Sequence, residues 1–312
     1  MTLSPRSLAY AALVLTVALW ASSAVAARGL LYVVSPAALA FLRWTVVVVC
    51  LLPFVWRDRA AMLAALRADF RTYAVIALIG FAPQSFLLYL GLTGSTATTL
   101  GLFNSAIPVI IVGFLVAFRG RKLKLLEGIG LALSSAGVVL ILAHGDPRAL
   151  LALRFSPYDL LMLAGSGVWA LYTIRLSERP AALPIPAFLF LTAGLGLCFL
   201  APFATAEVAL RGWPALPASA AFGIGYLGTL PTLVASLLFV FGVARVGAIH
   251  AGILTHLMPV FTALLAAMFL GERLQPFHGV GFLLVAGGAL ICCLHGSTVI
   301  TSPASSRAPV KP

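Results

Sequence analysis

The stretch from Gln84 to Pro108, QSFLLYLGLTGSTATTLGLFNSAIP, opens a segment that the chain carries twice. Shifted by 151 positions, residues 84–143 lie over residues 235–294 without a gap, and 14 of the 60 aligned positions are identical. Ser85 falls on Ser236, Gly91 on Gly242, Ala97 on Ala248, Gly101 on Gly252 and Pro108 on Pro259. Further on, Gly120 falls on Gly271, Gly128 on Gly279 and Gly137 on Gly288. Leucine matched to leucine means little in so apolar a chain. The shared register of glycine and proline means more, because these residues mark close packing and breaks. The segment reads as an internal duplication.

Composition sets the solvent. Of the 312 residues, 62% are hydrophobic and 9% charged, against about 25% charged in soluble domains. A water-soluble fold built from this chain would expose large apolar patches. In lipid, a helix needs roughly 20 apolar residues to cross. Ten such segments fit, at residues 8–27, 37–56, 72–91, 95–118, 125–143, 157–175, 185–204, 218–243, 248–270 and 276–295. Backbone groups in hydrocarbon must pair within their own segment, so the spans are helices. The expected fold class is an all-α integral membrane protein with ten transmembrane helices.

A net charge of +12 could point to nucleic acid, but its placement does not. The basic residues sit in short loops between apolar spans, the membrane pattern. With the N-terminus cytoplasmic, inside loops hold 14 Lys and Arg, outside loops hold 5, and Arg43 lies within a span. Both termini are then cytoplasmic. Arg6 followed by an apolar run and Ala24-Val25-Ala26 could pass for a signal peptide. Trp20 argues against that, because its surroundings return around Trp169. Cys50, Cys198, Cys292 and Cys293 fall inside spans, with neither disulfide nor metal spacing; they read as small apolar core residues.

The fourth and ninth spans share a stripe: Gly94, Ala97, Gly101, Asn104 and Pro108 in one, Arg245, Ala248, Gly252, Thr255 and Pro259 in the other. Steps of three and four keep each stripe on one face. Small residues there let helices approach closely in lipid, and a polar residue on that face points into the bundle. The loop Arg119-Gly-Arg-Lys-Leu-Lys124 becomes Leu270-Gly-Glu-Arg-Leu-Gln275 in the second copy, so its basic charge nearly vanishes. Five helices per copy make the second enter from the opposite side, and positive-inside bias then demands this change. The expected organisation is a first five-helix repeat over residues 1–145, a second, inverted one over 156–295, and a disordered tail over 296–312. Pro83 is expected to interrupt the third span near Gln84. The loop 57–71 reads as a short interfacial helix.

Trp20-Ala-Ser-Ser23 with Arg28 eight residues after the Trp, and Pro36 followed by Leu42-Arg43, resemble the opening of an EamA domain of the drug/metabolite transporter superfamily. The run from Pro259 through Gly271-Glu-Arg-Leu274, then Gly279 and Gly281, is similar to that family's best-marked segment. The resemblance covers nearly the whole chain. It implies two inverted five-helix repeats around a cavity walled by the first, third, fourth, sixth, eighth and ninth spans. It also implies movement of small metabolites, as in bacterial exporters of amino acids, aromatic ones included. Small multidrug-resistance relatives carry a Glu in the first helix for proton coupling; no acid stands near Trp20 here.

The candidate substrate-binding residues are Trp20, Gln84, Tyr89, Asn104, Trp169, Tyr172, Thr255 and His256. Trp20 and Trp169 sit mid-span, away from the interfacial belts, and read as two aromatic walls or as packing. Tyr172 and Tyr89 follow Trp169 and Ser85 on the same faces, and each hydroxyl needs a partner if buried. Asn104 and Thr255 occupy equivalent stripe positions, each with a proline four residues on that frees a carbonyl; the other reading is an interhelical bond. His256 is the one mid-membrane proton carrier, or a satisfied bundle histidine. His250 reads as structural. Arg43, roughly 10 Å below the outer surface at 1.5 Å per residue from Pro36, is expected to snorkel, the other reading being a pair with a buried carbonyl as a gate element.

No Ser–His–Asp set, metal spacing or phosphate loop stands out, so neither catalysis nor a cofactor is expected. The eight acids sit in loops or at helix ends, and facilitated diffusion or exchange is favoured over proton drive. The expected protein is an inner-membrane exporter of amino acids or similar metabolites, acting by alternating access as a monomer or homodimer, with the bilayer and a small molecule as its partners. A carrier of sugars or nucleotide derivatives, or a polytopic membrane enzyme, is the alternative.

Overall fold

Apolar runs that must pair their own backbone become helices, and helices are what the chain forms. The computed structural model describes residues 4–95, 97–146, 148, 156–179, 182–212, 216–270 and 274–295. Among these, α1 is Pro5–Leu30, α2 Pro36–Val55, α3 Arg59–Ala68, α4 Phe70–Leu78, α5 Phe81–Leu92, α6 Ala97–Arg119 and α7 Leu125–Leu142. In the second half, α8 is Pro157–Ser177, α9 Ile185–Arg211, α10 Ala218–Gly228, α11 Ala235–Leu254, α12 Leu257–Leu270 and α13 Pro276–His295. No strand occurs among the described residues. Eight helical stretches there are long and apolar enough to cross a bilayer, and Phe103–Arg119 is a shorter apolar helix. Phe54, Phe118, Phe222 and Leu283 are exposed, an outer surface suited to acyl chains rather than water. The chain is a multi-pass membrane protein.

The helix ends follow local chemistry. Pro36 opens α2 in the first turn, where its missing N–H costs little. Ser35 makes no side-chain cap there; the Glu207 carboxylate of α9 accepts instead from the Ala37 and Ala38 amides, at 3.0 and 3.4 Å. A negative charge at a helix N-terminus is favourable. The loop 57–71 does contain a helix, α3, whose residues are mostly exposed.

Three spans are irregular, and the break in the third is the one expected of Pro83. The third is broken between α4 and α5 at Ile79–Gly80, one turn before Gln84. The reason is that proline loses the bond to the carbonyl four residues back, so Pro83 leaves Ile79 without its donor. The 151-residue shift carries Gly80 onto Pro231, and there the chain runs through a π-helical turn, Thr229–Val234. Between the eighth and ninth spans Gly247 turns the chain at φ 82°, ψ 170°, a conformation that favours glycine. The ninth span itself is broken at Thr255–His256, where the amides of Thr255, His256 and Met258 each bond three residues back. Pro259 removes the N–H that would have reached Thr255. The tail 296–312, Glu272 and most of the loop joining the halves lie outside the described residues.

The halves meet along α7 and α13. A Cβ on Gly130 would stand 2.6 Å from the Gly288 carbonyl oxygen, and one on Gly137 2.8 Å from that of Gly281. Rising numbers on one helix meet falling numbers on the other, so the pair runs antiparallel. Only glycine permits this approach. Elsewhere α1 packs on α11, α2 on α9, and α8 on both α5 and α6.

Candidate functional site

The broken spans and the small-residue faces leave a cavity of about 170 Å³ inside the bundle, against ~10–15 Å³ for one water measured the same way. Its wall takes Trp20 and Ser23 from α1, Arg43 and Trp44 from α2, and Gln84, Ser85 and Tyr89 from α5. Asn104 of α6 and Trp169 of α8 continue it, and Thr232, Ser236, Thr255 and Met258 close it from the second half. Six of the eight candidates from the sequence therefore share one wall: Trp20, Gln84, Tyr89, Asn104, Trp169 and Thr255. Tyr172 and His256 stand behind it, each at most 1% exposed.

The indoles do not face each other across the space. Trp20 and Trp169 touch edge to face, with centroids 5.3 Å apart at 80°. Phe239 lies against both, at 5.1 and 5.2 Å, and Tyr172 against Trp169 at 5.3 Å. This corrects the picture of two aromatic walls: the pair forms one shared patch, with Trp169 only 5% exposed. Edge-to-face contact is the favoured ring arrangement.

Arg43 is the residue that sequence reasoning misplaced. It does not snorkel. Its Nη1 donates to the Tyr89 hydroxyl at 2.7 Å and its Nη2 to Ser85 Oγ at 2.6 Å. The guanidinium carbon lies 5.3 Å from the Tyr89 ring centre and 5.7 Å from that of Trp44. The Trp44 indole N–H also reaches Ser85 Oγ, at 3.4 Å. The signal available in the sequence was Ser85 and Tyr89 on one face of the third span, but nothing there says which face of α2 meets them.

The remaining polar groups differ in how they are held. Ser166 Oγ donates to Asn104 Oδ1 at 3.4 Å. Thr255 Oγ1 donates to the Gly252 carbonyl at 2.6 Å, which leaves its oxygen able to accept. Ser236 Oγ is buried with no partner among the described residues. His256 has both ring nitrogens engaged, with Ser134 Oγ and the Ser105 carbonyl. His250 sits on the Val246 carbonyl through Nδ1. Away from the cavity, Arg121 pairs with the fully buried Glu127 at 2.9 Å. No group of three metal-ligating side chains occurs among the described residues.

Apolar helices around a cavity with polar and aromatic lining define a polytopic membrane protein with room for a small solute. The chain belongs to the EamA-like transporter family, whose model matches residues 7–143 and again residues 156–294. It is similar to a probable terminal-alkyne amino-acid exporter of Streptantibioticus cattleyicolor, 28% identical over 90% of this chain and 91% of that one. An uncharacterized transporter of Archaeoglobus fulgidus is 26% identical over 89% of this chain and 95% of its own length. The aromatic amino acid exporter YddG of Salmonella typhimurium is 25% identical over 71% and 77%. A solved crystal structure superposes with a TM-score of 0.70 at 22% identity, covering 93% of this chain and 97% of the other; at that identity it bears on the fold alone.

Proposed function

We propose that this protein exports amino acids or closely similar small metabolites across a bacterial inner membrane, by alternating access of two inverted five-helix repeats, residues 1–145 and 156–295. The observation that carries this reading is the cavity, whose single wall draws on both halves and mixes indole, amide, hydroxyl and guanidinium groups. Two relatives bear amino-acid exporter names. The glycine seam supports inversion: Gly130 and Gly137 correspond to Gly281 and Gly288, and each meets the counterpart of the other. A twofold axis in the membrane plane produces that exchange. The bias of basic loops supports ten spans with both termini cytoplasmic. Among the described residues the wall holds no carboxylate and no histidine, which favours facilitated diffusion or exchange over proton drive.

Counterflow into proteoliposomes tests the substrate. Uptake of a labelled amino acid is expected to rise when the same unlabelled amino acid is inside. A panel in which nothing moves rejects the amino-acid reading, and movement without trans-stimulation makes the protein a pore. Single cysteines at Lys122 and Arg273 in a cysteine-free chain are expected to react from opposite sides of the membrane. Labelling from one side rejects the inverted arrangement.

A further inference from the structure

We infer that Arg43 is the anchor for one carboxylate of the transported molecule, so that the cavity selects monocarboxylates over amines, esters and phosphates. The inference rests on the transport reading above and adds to it the group that is recognised. A guanidinium stays charged throughout the accessible pH range. Inside a membrane such a charge is costly unless it is paired or faces a polar cavity. Arg43 faces the cavity, and among the described residues no carboxylate pairs with it. Its hydrogen-bond partners are two neutral hydroxyls, Ser85 and Tyr89. These fix the plane of the fork without cancelling its charge. Each terminal nitrogen carries a second hydrogen beyond those bonds, and the Tyr89 hydroxyl, accepting from Arg43, retains its own proton to donate.

The duplication shows that this charge belongs to one side of the cavity. Ser85 and Ser236 are equivalent positions and both line the wall. Ser85 holds Arg43, whereas the Ser236 hydroxyl is buried without a partner among the described residues. The wall thus carries a cation beside Ser85 and none at the equivalent position beside Ser236. The planar fork matches a carboxylate in a bidentate pair. No second Lys or Arg lines the wall among the described residues, so one negative charge is balanced, and a phosphate monoester of about −1.5 to −2 is not.

The test is competition in counterflow, with a transported labelled amino acid against its free acid, methyl ester and decarboxylated amine. For the native chain the acid is expected to compete at least tenfold better than either analogue. In Arg43→Gln, which removes the charge but keeps an amide donor, acid competition is expected to fall at least tenfold while ester and amine are unchanged. Retained preference for the acid overturns the inference, as does parallel weakening of all three, the mark of an arginine that only supports the fold. If the glutamine variant is not monodisperse, Arg43→Lys decides: it keeps the charge and is expected to keep the acid preference, and equal competition overturns the inference. If no amino acid moves, the substrate reading fails separately. Quenching of indole fluorescence by benzoate but not benzamide, lost in Arg43→Gln and kept in Arg43→Lys, then supports the anchor, and equal quenching by the two overturns it.

Discussion

Nε2 of His256 lies 2.9 Å from the main-chain carbonyl oxygen of Ser105, and Ser105 is the residue onto which His256 falls when the chain is shifted by 151 positions. Equivalent points of the two halves therefore touch. A carbonyl only accepts, so Nε2 carries hydrogen and donates. In the neutral ring Nδ1 is then the acceptor, 2.8 Å from Ser134 Oγ. The imidazole fills the break between α11 and α12 and ties it to α6 and α7.

His256→Ala is expected to destabilise the fold by about 2–3 kcal/mol, two net hydrogen bonds plus the buried groups left unsatisfied. Thermal unfolding in detergent should show it as a lower midpoint. An unchanged midpoint with lost transport would instead make the ring a working part of the cavity.

Trp169→Ala is expected to cost about 3–5 kcal/mol, because Trp169 is buried against Trp20, Phe239 and Tyr172. The yield of monodisperse protein should fall with it. Trp20→Ala, at a half-buried site, should cost less. Equal losses would show that the patch is supported from both sides alike.

Gly288→Ala is expected to push α7 and α13 apart, since its Cβ would stand 2.5 Å from the Gly130 carbonyl oxygen. Overpacking of this kind costs about 1–3 kcal/mol. Gly279→Ala, on the same helix with open space around it, is the control and should be neutral or slightly stabilising, as alanine favours helix. Matching shifts in the two variants would reject the seam.

Arg121→Ala is expected to destabilise by about 3 kcal/mol, because it strands the Glu127 carboxylate in the interior without its counter-charge. Adding Glu127→Gln should recover part of that loss. No recovery in the unfolding midpoint would show that the pair does not act as a unit.

Much of this arrangement was legible from the residues. Glycine and proline register exposed the duplication, and the apolar runs gave the helices, because both follow from backbone chemistry. Stripe spacing brought Asn104 and Thr255 to one cavity. What sequence could not supply was pairing across distance. Arg43 and Ser85 are joined by a rotation of α2 that no local pattern encodes, and Tyr172 turned behind the wall for the same reason. The break at Thr255–His256 was foreseeable from Pro259, whose effect falls one turn upstream, as does that of Pro83.

Glycine against carbonyl leaves α7 and α13 no freedom to slide. A slip of one turn along α13 would bring Leu284 or Cys292 to the place of Gly288, where even a Cβ does not fit. These two helices thus form a keel, and whatever breathing accompanies the passage of cargo falls to the strands of chain already interrupted, at Gly80, at the π-helical turn and at Thr255.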